Sequence, residues 1–281
     1  KQKTAADISG VLQTVLFCPE DLMVLKTGAA ARRRLGDHAL CQLRPNYEAA
    51  LAEYGRILEQ KNRILKDRFE NPLLLELLPD YNLRLCQVGA LLISYRARFY
   101  EGLGKAAATY HDHFSGGAEE FILEYKTVST IKDPFAPISV LQEALQEHLR
   151  SHERAELETA QCLTGPHKDD FSVSLSGIDL KAYGSQGQTR TAAISLKLAQ
   201  RELMGRELGE QPLLLLDGID VGPCGCDGEY GEATWVAVCD LPIICLAPSH
   251  SRSCCPPQES PQWYSPRSAC YRQSPPASEE R

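Results

Sequence analysis

The residues best suited to chemistry lie together at positions 183–191, Tyr-Gly-Ser-Gln-Gly-Gln-Thr-Arg-Thr. Ser185 supplies a hydroxyl, Gly187 lets a ligand approach the backbone closely, and a helix beginning there aims free N–H groups outward. Such a combination suits an anion, a phosphate above all. The same spacing also fits a capping box, Ser185 with Gln188 three residues on, which needs no ligand. These residues alone leave both readings open. Further along, Pro212-Leu-Leu-Leu-Leu-Asp217 is a continuous aliphatic run ending in a carboxylate. It reads as a fully buried strand in the middle of a parallel sheet, and an acid at its carboxyl end sits where α/β sheets bind ligands. In phosphoryl transfer an acid so placed helps to hold Mg²⁺.

Those groups need elements to position them. Ala192, Leu196, Ala199 and Leu203 mark the buried face of a helix over about 188–204, between loop and strand. Upstream, Leu40, Leu43, Tyr47, Leu51, Tyr54, Leu58 and Leu65 recur at helical spacing and predict one long amphipathic helix. Asn71-Pro72 and Pro79 interrupt it. Leu85, Val88, Leu92, Tyr95, Phe99, Leu103, Ala106 and Tyr110 then predict a second helix, packed on the first as an antiparallel hairpin. Residues 121–128 alternate after Gly116-Gly117 and read as a strand. Leu141, Leu145 and Leu149 mark a third helix, and residues 171–175 a strand with a turn at Ser176-Gly177.

Composition bounds the rest. The 281 residues, 43% hydrophobic and 24% charged, suit an ordinary globular protein, and no apolar run is long enough to cross a bilayer. The net charge of −7 argues against nucleic-acid binding over the whole surface but leaves room for a basic stripe. Arg32, Arg33 and Arg34 form a basic run, and Arg56, Lys61, Arg63 and Lys66 line one helix. They are candidates for contacts to backbone phosphate, although Glu53, Glu59, Asp67 and Glu70 interleave as on any solvated face. His111, His113 and His167 read as structural.

The chain changes character after Asp217. Seven of the eleven cysteines and both tryptophans lie beyond it, no lysine follows Lys197, and prolines cluster. A disordered proline-rich tail and a reading-frame error both fit, the second better, since disordered tails are normally poor in Cys and Trp. Lys1 in place of Met points to an incomplete reading frame.

Signature loop, helix and acid-terminated strand in this order resemble the ABC-type ATPases, and the likeness narrows further. GSQGQTRTAAISLKLAQREL at 184–203 resembles the signature stretch of the RecF family of DNA replication and repair proteins. GPHKDD at 165–170 resembles that family's GPHRDD segment. FCPEDL at 17–22 and RRRLGD at 32–37 resemble its F-S-P-E-D-L and R-R-R-x-x-D elements. The match runs from about Thr4 to Asp217. It implies an α/β fold, a partial ABC-type ATPase core with an inserted helical-hairpin arm. Residues 1–37 would belong to the core and 38–160 to the arm. Residues 161–217 would carry the signature loop and Walker B strand, and 218–281 a disordered or frame-shifted tail.

The resemblance also implies roles. Ser185, Gln186, Gly187, Gln188 and Arg190 would contact ATP held by a second subunit, and Asp217 would be the Mg²⁺-associated catalytic acid. The implied partners are single- and double-stranded DNA, a second copy in an ATP-dependent homodimer, and a RecR-type recombination mediator. The setting would be cytoplasmic, in recombinational gap repair, replication and SOS induction. Three departures stand out: no G-x-x-x-x-G-K-[ST] phosphate loop occurs, Gly218 replaces the family's second acid, and its later L-S-E-L-D element is missing. The nearest decoy, Gly102-Leu-Gly-Lys, lies within a helix stripe. The chain is therefore expected not to hydrolyse ATP by itself. A catalytically dead interaction module and an SMC- or Rad50-type chromosome ATPase are the alternatives.

Overall fold

The computed structural model describes residues 13–217 and 243–246. In chain order the elements are β1 (Thr14–Phe17), α1 (Ala29–Leu43), α2 (Pro45–Asp67), α3 (Leu78–Ser115) and β2 (Phe121–Lys126). There follow α4 (Ile138–Thr159), β3 (Asp170–Leu175), β4 (Ile178–Asp179) and α5 (Leu180–Tyr183). Last come α6 (Gln186–Leu208), β5 (Leu213–Asp217) and β6 (Ile243–Leu246). One sheet is parallel, in the order β1-β5-β6; the other is antiparallel, β2-β3-β4.

The expected single helix over 40–65 is in fact two. Proline has no N–H to continue a helix and pushes the residue before it towards extended backbone. Arg44 accordingly adopts φ −137°, ψ 96°, and Pro45 starts α2 afresh. A division between residues 37 and 38 would cut through α1.

The hairpin stands. Tyr47 of α2 meets Tyr95 of α3 edge-on at 5.6 Å, and Glu53 pairs with Arg84, so the two helices run antiparallel. Gly116 and Gly117 both take positive φ (62° and 79°), conformations that side chains resist, and return their N–H groups to the Asp112 carbonyl. The chain thereby reverses into β2. Ser176 and Gly177, also at positive φ, make the two-residue turn that joins β3 to β4.

α3 carries the core. Its buried stripe (Leu85, Val88, Leu92, Phe99, Leu103, Ala106) packs with Ala192, Leu196 and Ala199 of α6, Phe121 of β2 and Phe171 of β3. A second cluster, with Ile93 and Leu141, Leu145 and Leu149, seals α3 against α4. Gly102-Leu-Gly-Lys lies wholly inside α3, a helix and not a phosphate loop.

β5 occupies the middle of the parallel sheet, as its aliphatic run predicts. Full burial does not follow. Leu214 is buried with Val15 and Phe17, whereas Leu213 and Leu215 are half-buried and Leu16 is 46% exposed. One face of the sheet is covered, and the other is partly open among the described residues. The stretch 218–281, expected to be a disordered or frame-shifted tail, lies outside the described residues apart from β6. Those four residues pair in parallel with β5.

Candidate functional site

Ser185 caps α6. Its Oγ accepts from the Gln188 N–H at 3.2 Å, and Gln188 Oε1 accepts from the Ser185 N–H at 2.9 Å. Both halves of the capping box are therefore present. The Gln188 side chain is used at both its atoms, because its Nε2 also donates to Glu119 Oε1 at 2.7 Å. Gln188 thus braces the loop, and its reach to Glu119 is a part its sequence position did not suggest. The brace reaches further: Glu119 Oε2 lies 2.9 Å from Nε2 of the buried His111. The hydrogen bond from Gln188 holds the Glu119 carboxyl below its ordinary range.

What remains available is narrower than the motif. Ser185, Gln186 and Gly187 are exposed. The Ser185 hydroxyl keeps its proton for donation, and the first N–H groups of a helix have no partner inside it. A side chain at Gly187 would meet only Ser185 Oγ, at 4.0 Å, so the approach to this backbone is open. Arg190 is half-buried in the second turn of α6.

Asp217 ends β5 in register with Leu246 of β6, at the carboxyl edge of the parallel sheet. It does not share a site with Ser185 of its own chain. Lys197 of α6 donates to the Leu16 carbonyl of β1 at 2.8 Å, and Leu16 is in register with Leu215 of β5. Ser185 lies twelve residues from Lys197, about 18 Å along α6. Asp217 lies two residues past Leu215, only about 7 Å along its strand.

The basic candidates divide sharply. Arg32 is 3% exposed, forked onto Asp170 at 2.6 and 2.9 Å, and also bonded to the carbonyls of Val24 and Thr27. Lys61 is fully buried, 2.6 Å from Glu156. Neither can reach a phosphate backbone, which removes both from the DNA-contacting set. Arg33 is half-buried and donates to the Asp169 carbonyl at 2.6 Å. Arg34, Arg56, Arg63 and Lys66 are exposed.

The RRRLGD and GPHKDD segments interlock, with Arg34 and Lys168 left exposed. Arg96 of α3 donates to both Asp37 oxygens at 3.0 Å, to Asp169 Oδ2 at 3.1 Å and to the Pro166 carbonyl at 2.7 Å. Tyr47 donates to Asp37, and Tyr125 and Thr127 donate to Asp169. Burial pushes the Asp169 carboxyl above its ordinary value, with the Arg96 guanidinium opposing. Sequence patterns do not reveal Arg96, whose polar character is hidden within an apolar stripe. Lys26 was likewise missed; it donates to the carbonyls of Leu180, Lys181 and Gly184 at 2.8, 3.3 and 2.8 Å.

No family model matches the chain. The DNA replication and repair protein RecF of Agathobacter rectalis is 37% identical over 217 residues, 77% of this chain and 57% of that protein. RecF of Bacillus subtilis is 37% identical over 223 residues, 78% of this chain and 59% of its own. Among solved structures, the recombination mediator protein RecF with ATPrS superposes with a TM-score of 0.72 at 31% identity, covering 78% of this chain and 58% of that one. The chain is a relative of RecF. Its α/β architecture, long helices included, is that of the RecF structures. It spans somewhat under three fifths of the length of the RecF proteins it matches. Among the described residues, no helix is long and apolar enough to cross a membrane.

Proposed function

We propose that this chain supplies the signature-loop side of a nucleotide site shared between two subunits of a RecF-like, ATP-dependent DNA-binding protein. Its work would lie in recombinational gap repair, replication and SOS induction. The observation that carries this reading is the exposed start of α6. A serine hydroxyl and two helix-end N–H groups converge there, well away from the same chain's Asp217. A loop so placed can close on a phosphate only if another subunit holds the nucleotide. Fixed donors aimed where charge develops are the main contribution a protein makes to phosphoryl transfer.

In this reading Ser185, Gln186 and Gly187 meet the terminal phosphate of ATP, Gln188 holds them in place, and Arg190 lies behind in the next turn. Asp217 is a hard oxygen donor at a strand end and fits Mg²⁺. In each copy it would hold the ion at the site that the partner's signature loop closes. Related structures were solved as RecF-ATP in the RecFOR pathway, which supports ATP as the ligand and a RecR-type mediator as a partner. In the full-length protein, Ser185→Arg is expected to abolish ATP-dependent self-association, followed by light scattering, while the lost helix cap, worth about 1 kcal/mol, lowers the melting temperature by only a few degrees. Self-association that persists in the variant would remove the loop from the site.

DNA would be met by exposed cations on the outer side of α2. Arg56 and Arg63 stand two helical turns apart, with Lys66 one turn further on. Replacing Arg63 and Lys66 together with glutamine should weaken binding equally across DNA sequences. It should also flatten the slope of log affinity against log salt by about 1–2, since each lost phosphate contact releases one counterion fewer. An unchanged slope would place the DNA elsewhere.

A further inference from the structure

The strongest unclaimed feature near the proposed site is a single lysine facing three carbonyls. Lys26 follows the turn of 3-10 helix Pro19–Met23, far from Ser185 in sequence. Its ammonium has three donors, and all three carbonyls within reach (Leu180, Lys181 and Gly184) belong to the few residues that lead into Ser185. α5 is one turn long, so its carbonyls have few backbone donors, although that of Leu180 also accepts from the Gly184 N–H at 3.0 Å. Gly184 lies so close to α5 that a Cβ there would come within 2.6 Å of the Leu180 oxygen.

The peptide between Gly184 and Ser185 is consequently tied at both ends. Its carbonyl oxygen accepts from Lys26 at 2.8 Å, and its N–H, that of Ser185, donates to Gln188 at 2.9 Å. The segment bearing Lys26 is itself anchored. Asp21 pairs with Lys197 of α6 at 2.9 Å, and Arg32 holds the carbonyls of Val24 and Thr27. Residues 16–27 thus form a bracket that grips α6 midway and the entry to its first turn.

The geometry points to Lys26 as the positioning residue of the Ser185 loop: it orients the Gly184–Ser185 peptide, and with it the hydroxyl and N–H groups that would close on a neighbour's nucleotide. This rests on the reading of that loop as nucleotide-facing. Lys26 touches no ligand itself.

The test uses the full-length protein and reads the ATP concentration that gives half-maximal self-association, together with hydrogen exchange at the amides of residues 184–188. Lys26→Met should raise that concentration about tenfold or more, since small misplacements of a reacting group are costly, and should speed exchange at those amides. Lys26→Arg, which again offers several donors to the carbonyls, should recover most of the loss. If Lys26→Met does not fold, Lys26→Gln, with its shorter donor, is measured instead and should show the same shift in smaller degree. An unaltered ATP requirement in the folded variant, or no recovery with arginine, overturns the assignment. Ser185→Arg separates the two ideas. If it abolishes association while Lys26→Met does not, only the role of Lys26 falls; if it has no effect, both fall.

Discussion

Arg96→Ala should cost about 3–5 kcal/mol of unfolding free energy, the penalty for removing one partner of a buried ion pair. The residue is 2% exposed, and its side chain donates to Asp37, Asp169 and the Pro166 carbonyl. Its removal strands Asp169, which is 1% exposed, with only the hydroxyls of Tyr125 and Thr127 for company. Domains are stable by only about 5–15 kcal/mol in total, so this single change consumes a large part of that margin. Urea unfolding followed by circular dichroism measures it. A loss below about 1 kcal/mol would mean that water or a neighbour replaces the guanidinium without penalty. The exposed Arg150–Glu147 pair is the natural control, since it should contribute little when broken.

His167→Gln should flatten the acid limb of stability. In the native chain the imidazole accepts from the Tyr54 hydroxyl at 2.7 Å and donates to the Cys162 carbonyl at 3.1 Å, so it is satisfied when neutral. Burial lowers its pKa from 6.5 to about 4. Between those values the unfolded chain binds a proton that the folded chain refuses, so stability is full above about pH 6.5 and falls as pH drops towards 4. The loss approaches about 3 kcal/mol at the bottom of that window. Glutamine can keep both hydrogen bonds and carries no titrating proton. His148, also lowered by burial, titrates in both proteins and cancels in the comparison. Urea midpoints for the pair from pH 7 to 4.5 give the result; parallel curves would show that His167 does not set the limb.

The elements most legible in the sequence are those whose evidence is local. The three-and-four spacing of Leu85, Val88, Leu92 and Phe99 announces α3 because helix faces repeat over a few residues. The Ser185–Gln188 box is equally visible, since both partners sit within one turn. Pro45 was overlooked because the apolar stripe from Leu40 to Tyr47 passes through it, although the backbone cannot. Long-range pairing was invisible. Arg32 looks like part of a basic run until Asp170, 138 residues away, is folded against it. Lys61 looks solvated until Glu156 closes over it. The brace from Gln188 to Glu119, 69 residues distant, is equally hidden. Charge in a sequence says only that a group needs a partner, and topology decides which one.

α3 runs unbroken for 38 residues, roughly 57 Å, from the hairpin tip to the Gly116-Gly117 reversal. Arg96 clasps it near the midpoint. A stiff rod pinned at its centre is a lever with nearly equal arms, each about 27 Å. Tilting it by about 2° would swing the tip by about 1 Å and carry the far end an equal distance the opposite way. Just beyond that far end, Glu119 ties His111 of α3 to Gln188 in the first turn of α6.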